Sequence, residues 1–234
     1  EADPSVLNLT AFETFYEEKR PFFSEGAEFF SQRLSLFHSR RIGRAPGYYL
    51  PEEGDLKNPP EYTTILGAMK VMGNTESGIN YGLIGALTAE ESATLITDSA
   101  DSQTDVDIVI EPRTNYSIGR FEVPVINDIS RVGIMVTDVS RSDNPGATVA
   151  GMDWNLGFLD NKLFSNGQIV RSNANDTTGN AIRFNLGYTD PIWWSARFWY
   201  GYYDDKFIKE AVKQFGSQCI IISIAEYLFS CKNV

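Results

Sequence analysis

The chain has 234 residues, enough for one large β domain or two small ones, and its 42% hydrophobic and 22% charged content is not that of a disordered polymer. A net charge of −11 argues against nucleic acid as a partner and against electrostatic anchoring on an anionic leaflet. Cys219 and Cys231 both lie in the last stretch, and His38 is the single histidine. The main body therefore holds no disulfide framework and no Cys- or His-rich metal site, and a Ser-His-Asp scheme would have to use His38. No catalytic set, cofactor motif or metal-ligand set stands out. No apolar run approaches the roughly 18 residues of a transmembrane helix. The chain opens at Glu1 with no methionine or leader pattern, as expected of a processed chain or a fragment.

Residues 1–59 read as an irregular lead-in. A short helix is expected around Leu9–Glu18, capped by Thr10 or Asn8. Pro21 and Gly26 then break regular structure. The aromatic pairs Phe22-Phe23 and Phe29-Phe30 want burial, while Glu25, Glu28, Arg40, Arg41 and Arg44 want partners. A polar, enclosed face meets both demands, so this segment is expected to lie against the inner face of a sheet as a partial plug. There its aromatics would pack on inward glycines such as Gly82, Gly151 and Gly187, and the five charges would form an ion-pair network. An acid/base pair among Glu13, Glu17, Glu18, Glu25 and Glu28 is the weaker reading. Residues 51–60 read as a loop.

Residues 60–205 read as a row of two-faced strands. Tyr62–Met72 and a segment around Ile79–Thr88 make a hairpin about Gly73-Asn74. Residues 89–113, with Asp98, Asp101, Asp105 and Asp107 among Ser and Thr, read as a long acidic loop without an EF-hand pattern. Tyr116–Val123 and Arg131–Val139 form a second hairpin, and Asp143 to Gly146 a turn. In Ala147–Phe158, Met152, Trp154, Leu156 and Phe158 take one side and Gly151, Asp153, Asn155 and Gly157 the other. Asp160-Asn161 is a tight turn before Leu163–Arg171. Ser172–Gly179 reads as a polar loop, then Asn180–Thr189 and Trp193–Tyr203 follow. The result is all-β: an antiparallel up-and-down meander of about eight strands.

A soluble sandwich also alternates, but three features favour an open or incomplete outer-membrane β-barrel. Several strands reach about ten residues. The polar face is mostly Gly, Asn, Ser, Asp and Arg, as in a wet lumen. Aromatics, 13% of the chain, crowd strand ends. Trp193, Trp194, Trp199 and Tyr200 are candidates for an interfacial belt, or for stacking on a glycan. The partners expected are outer-membrane lipid and, as an alternative, a carbohydrate bound by a soluble β-sandwich module; nucleic acid is not expected. Enzyme activity is not expected, and a glycoside hydrolase-associated role is the remaining alternative.

The strings Glu18-Lys19-Arg20-Pro21-Phe22-Phe23 and Ser39-Arg40-Arg41-Ile42-Gly43, with Asp3 to Phe15, Ala150 to Trp154 and Trp193–Tyr203, resemble the DUF5916 family over about residues 1–205. Members are similar to outer-membrane β-barrels of bacteria and usually carry an N-terminal family 9 carbohydrate-binding-like domain. The resemblance implies a bacterial outer-membrane location and a barrel larger than these strands could close. The carbohydrate-binding domain is missing here, so glycan activities do not transfer with the resemblance. In the tail, residues 206–234, Ile208–Phe215 reads as an amphipathic helix and Cys219–Ile224 as a buried strand. Phe215 to Ile221 resembles a segment of the cyclase subunit of imidazole glycerol phosphate synthase, so the tail is a helix–strand unit foreign to the meander.

Overall fold

The computed structural model describes residues 18–49, 51, 55–99, 102–142, 146–174, 177–190, 194–204, 206–207 and 228–230. The expected helix at Leu9–Glu18 (all but its last residue), the turn at Asp143–Pro145, Asp101, Trp193, the tail helix and strand, and both cysteines lie outside them. Among the described residues no helix is long and apolar enough to cross a membrane, which says nothing of a β-barrel.

Two four-residue helices, α1 (Pro21–Ser24) and α2 (Ala27–Phe30), and a 3-10 turn at Ser39–Arg41 open the structure. Pro21 sits at the first helical position, where its missing N–H costs nothing. Gly26 takes φ 64° between the helices, a left-handed conformation that glycine adopts without strain. The strands follow: β1 (Asp55–Lys57), β2 (Ile65–Asn74), β3 (Asn80–Thr88), β4 (Glu91–Ser99), β5 (Ser102–Glu111), β6 (Thr114–Val125), β7 (Asn127–Arg141), β8 (Ala147–Phe158), β9 (Leu163–Ala174), β10 (Thr177–Thr189), β11 (Ser195–Tyr203) and β12 (Leu228–Ser230).

The main sheet runs β12-β11-β10-β9-β8-β7-β6-β3-β2, with the pairs antiparallel. Its eight long strands are an up-and-down meander, and the sheet does not close on itself among the described residues. The turn between β8 and β9 is tight, with Leu159, Asp160 and Asn161 all at positive φ.

Two expectations fail. The acidic stretch at 89–113 is not a loop but the β4–β5 hairpin, which forms a second, three-stranded sheet with β1. Leu95 pairs with Leu56 and Val106 there, and Ala93 with Ile108. Alternating apolar residues thus outweighed the acidic composition, and Asp105 and Asp107 stay exposed: Asp105 pairs with Lys57 at 3.9 Å and Asp107 accepts from the Thr94 hydroxyl at 2.8 Å. Residues 172–179 are also not a polar loop. The strands run on to Ala174 and resume at Thr177, because Ser172 pairs with Gly179 inside the β9–β10 ladder.

One face of the main sheet is covered by the lead-in. Phe23, Phe30, Leu34, Leu36 and Ile42 bury in one cluster with Ile84, Ile118, Met135, Val149, Val170, Ala181 and Phe207. Glycines make room for it. A Cβ on Gly82 would stand 2.7 Å from Phe30 Cζ and 2.9 Å from Phe29 Cε1, and one on Gly151 would stand 2.7 Å from Leu36 Cδ1. Gly187 differs from the expectation, because the hollow it leaves on the covered side is filled by Phe164 of the neighbouring strand, not by the lead-in. The opposite face is apolar and open, with Ile134 52% and Met152 43% exposed.

Arg20 ties the lead-in together. Its guanidinium donates to the carbonyls of Ile42 at 2.7 Å and Ser39 at 2.9 Å, and to the Glu18 carboxylate. Burial alone would raise the Glu18 carboxyl, but hydrogen bonds from Arg20 and Ser39 outweigh it and hold it at about 2. A carboxyl held below its free value supports the fold above that free value, 4.5, and loses its effect as pH falls toward 2. Amide protection around Ser39–Ile42, the intrinsic exchange rate divided by the observed rate at each pH, is therefore expected to be constant above pH 5 and to fall between pH 4 and 2; Glu18→Gln should abolish that step.

Gly82→Val should overpack the contact with Phe29 and Phe30, at a cost of about 1–3 kcal/mol. The expected outcome is faster amide exchange across residues 27–37 with the β7–β9 ladder unchanged. Unaltered protection of the lead-in would contradict the packing described.

Candidate functional site

The covered face carries two polar regions, one at each end of the apolar cluster. The first centres on Arg120 of β6, whose side chain is 5% exposed. Its Nη1 and Nη2 donate to Oδ1 and Oδ2 of Asp153 on β8 at 2.8 and 3.0 Å, a two-point pairing across β7. The intervening β7 residue is Gly133. A Cβ there would lie 3.1 Å from Asp153 Oδ1 and 3.2 Å from Arg120 Nη2. Glu122 accepts from Arg120 and Arg131, both at 3.2 Å, and from the Asn80 amide at 3.3 Å. Phe29 lies 5.4 Å from the Arg120 guanidinium.

The lead-in joins this region through two glutamines. Gln32 donates to Asp153 Oδ1. Gln168 of β9, fully buried, accepts from Leu34 N at 2.7 Å and donates to Leu34 O at 3.0 Å, pairing with the lead-in backbone as a strand neighbour would. It also donates to the Gln32 carbonyl at 3.1 Å. Both carboxylates in this region accept hydrogen bonds from side chains of other strands or of the lead-in.

The second region is a cleft between the lead-in and the ends of β5, β6 and β7. It encloses about 640 Å³ of empty space open to solvent. Arg41, Arg44, Arg141, His38 and Tyr48 line it together with Glu111. Glu111, 3% exposed, accepts from Arg44 Nη2 at 3.3 Å and from the backbone N–H groups of Gly47 and Tyr48 at 3.0 and 2.9 Å. Arg141 lies 4.5 Å from the centre of the Tyr48 ring.

Arg44 pairs with Glu111, which no sequence pattern singled out, while Glu25 and Glu28 are exposed beside and within the two short helices. Arg40 and Arg41 occupy the 3-10 turn. The described aromatics of the group lie in different places. Trp194 stacks at 4.8 Å on Tyr188, whereas Trp199 and Tyr200 are consecutive β11 residues and point to opposite faces. Trp199 pairs with Asn185 on the covered side, and Tyr200 lies 5.5 Å from Phe184 on the open side. Arg120, Glu122 and Gln168 were missed. The available signal was the charge in Arg120-Phe121-Glu122, at positions whose neighbours alternate with apolar residues.

The fold and this face define an antiparallel meander with a polar, filled side and an apolar, open side. A family model described as a domain of unknown function, DUF5916, matches residues 1–207, and the chain belongs to that family. No curated protein and no solved structure matches it.

Asp153→Asn removes the counter-charge of a buried guanidinium, a change that costs on the order of 3 kcal/mol. The expected result is a lower unfolding midpoint in urea. An Asp153→Glu variant, which keeps the charge, should lose less; equal loss in both would assign the effect to shape alone.

Proposed function

We propose that this chain forms part of the wall of a bacterial outer-membrane β-barrel, with its open face toward lipid and its covered face toward a lumen that residues 18–49 partly fill. The observation that carries this reading is the outward row of exposed apolar side chains. Across β3, β6, β7, β8, β9 and β10, Leu83, Phe121, Ile134, Met152, Ile169 and Leu186 all point to the open side and are all exposed. A soluble sheet would cover such a surface or break it with charge.

The band has edges. From Met152 to Phe158 the outward residues of β8 span roughly 20 Å along the strand at about 3.4 Å per residue, comparable with the apolar belt of outer-membrane barrels. Beyond it at one end the outward side turns polar, first at Arg171 and Asn180 beside Ala150 and then at Asp138, Thr148 and Asn173, with the Thr148 hydroxyl donating to Asp138 at 2.6 Å. At the other end lie the Asp160-Asn161-Lys162 turn and the Tyr188–Trp194 pair, a place suited to an interfacial aromatic. Strands of twelve and fifteen residues exceed the ~9–11 needed to cross a bilayer at a tilt. A glycan-linked role has less support, since Trp199 and Tyr200 do not share a face.

Single cysteines at Met152, Ile134 and Asn155, each carrying a fluorophore in a cysteine-free background, test the reading in vesicles with brominated acyl chains. Quenching is expected at 152 and 134 and absent at 155, which points to the covered side. A detergent-free soluble monomer, or equal quenching at all three positions, would overturn it.

A further inference from the structure

Two polar groups in the cleft at the ends of β5, β6 and β7 have no partner among the described residues. Thr137, 3% exposed, leaves its hydroxyl unpaired, and Arg141 leaves its Nε unpaired. Both residues line the same cleft and lie two strand steps apart on the covered side of β7. A buried polar group without a partner is costly, so two of them lining one cleft, four residues apart along β7, point to a ligand with more than one polar atom. Arg141 Nε can only donate, and Thr137 can donate, so the atoms that would meet them are acceptors.

The charges around them set its sign. Arg41, Arg44 and Arg141 bring three guanidinium groups to the cleft lining. The carboxylate that faces the cleft, Glu111, is taken by Arg44 and two backbone N–H groups, while Asp138 turns its carboxylate to the open side, where it accepts from Thr148 and Ser140. The Tyr48 ring lies against the Arg141 guanidinium and orients its plane. The cavity volume, about 80 Å³, has room for a small oxyanion group.

We propose that this cleft binds a small ligand through an oxyanion, a carboxylate or a phosphate, held by Thr137 Oγ1 and Arg141 Nε within the field of Arg41 and Arg44. The site uses the covered face and the lead-in alone, and it is independent of what the open face contacts.

The test uses the full chain in a zwitterionic detergent, with amide chemical shifts followed during titration with inorganic phosphate, glycerol phosphate, acetate and, as a neutral control, glucose. Saturable shifts confined to residues 38–48 and 137–141 are expected with at least one anion and not with glucose. The anion that saturates at the lowest concentration identifies the group, and preference for glycerol phosphate over inorganic phosphate would mark an ester or headgroup as its source. Thr137→Val and Arg141→Lys, the latter keeping the charge but losing Nε, should each weaken binding at least tenfold. Arg171→Gln, on the open face, should leave it unchanged. Thermal unfolding of each variant reports folding, and Thr137→Val decides alone where Arg141→Lys does not fold. No saturable shift with any anion, or undiminished binding by a folded Thr137→Val variant, would overturn the proposal.

Discussion

Strand alternation is the constraint on which this structure depends. β8 cannot turn Met152, Trp154 and Leu156 to one side without turning Gly151, Asp153 and Asn155 to the other. The same division continues into β7, β9 and β10 because the ladders keep register across them. Each strand therefore belongs to two environments at once, and a one-residue slip would place Asp153 and Arg120 on the apolar side. The Arg120–Asp153 pair, spanning β7 over Gly133, opposes such a slip, since it exists in this register and not in its neighbour.

The covered side has small and polar residues, too few apolar atoms to make a core unaided. The lead-in supplies the rest. Its Leu36 reaches Gly151 and its Phe30 reaches Gly82, so the glycines that leave hollows in the sheet are filled from the same chain. Not every hollow is filled this way. Gly167 is met by Trp154 and Phe184, and Gly187 by Phe164, all from adjacent strands. The glycines thus serve both sides: Gly82 and Gly151 seat the lead-in, Gly187 takes a sheet ring on that same side, and Gly167 takes outward rings on the other.

Most of the meander was legible because its signal is local. Ten or so residues with alternating character suffice to define a strand, and for β8 the expected bounds, Ala147–Phe158, are the observed ones. Residues 89–113 misled because Asp98, Asp105 and Asp107 dominate the composition. The alternation of Val106, Ile108 and Ile110 was present, and it prevailed once β1 offered an edge to pair with. The candidate site was less legible for a different reason. Glu111 gains its role from Arg44 and from Gly47 and Tyr48, more than sixty residues away in sequence. Gln168 gains its role from Leu34, at a separation of 134 residues. Neither pairing leaves a trace in local spacing. Arg120 was hidden in the same way, since nothing near it in sequence names Asp153.

The two kinds of contact between lead-in and sheet do different work, and their sizes separate them. Burying Phe23, Phe30, Leu34, Leu36 and Ile42 is worth about 1.5–3 kcal/mol for each side chain, so roughly 10 kcal/mol in all. Each hydrogen bond from Gln168 to the Leu34 backbone adds only about 1 kcal/mol net. Adhesion is therefore hydrophobic. Apolar contact is non-directional, however, and would tolerate the lead-in sliding along the glycine hollows. Gln168, fully buried, can satisfy its amide only when Leu34 stands opposite it, and Asp153 meets Gln32 only in that same alignment. The cleft then follows from that register. Fixing Leu34 places the 3-10 turn at Ser39–Arg41 over the end of β6, where the Tyr116 hydroxyl donates to Arg41 O at 3.4 Å. Arg41, Arg44 and Tyr48 are thereby delivered opposite Thr137 and Arg141. A weak set of polar contacts at one end of the covered face thus determines which side chains assemble at the other.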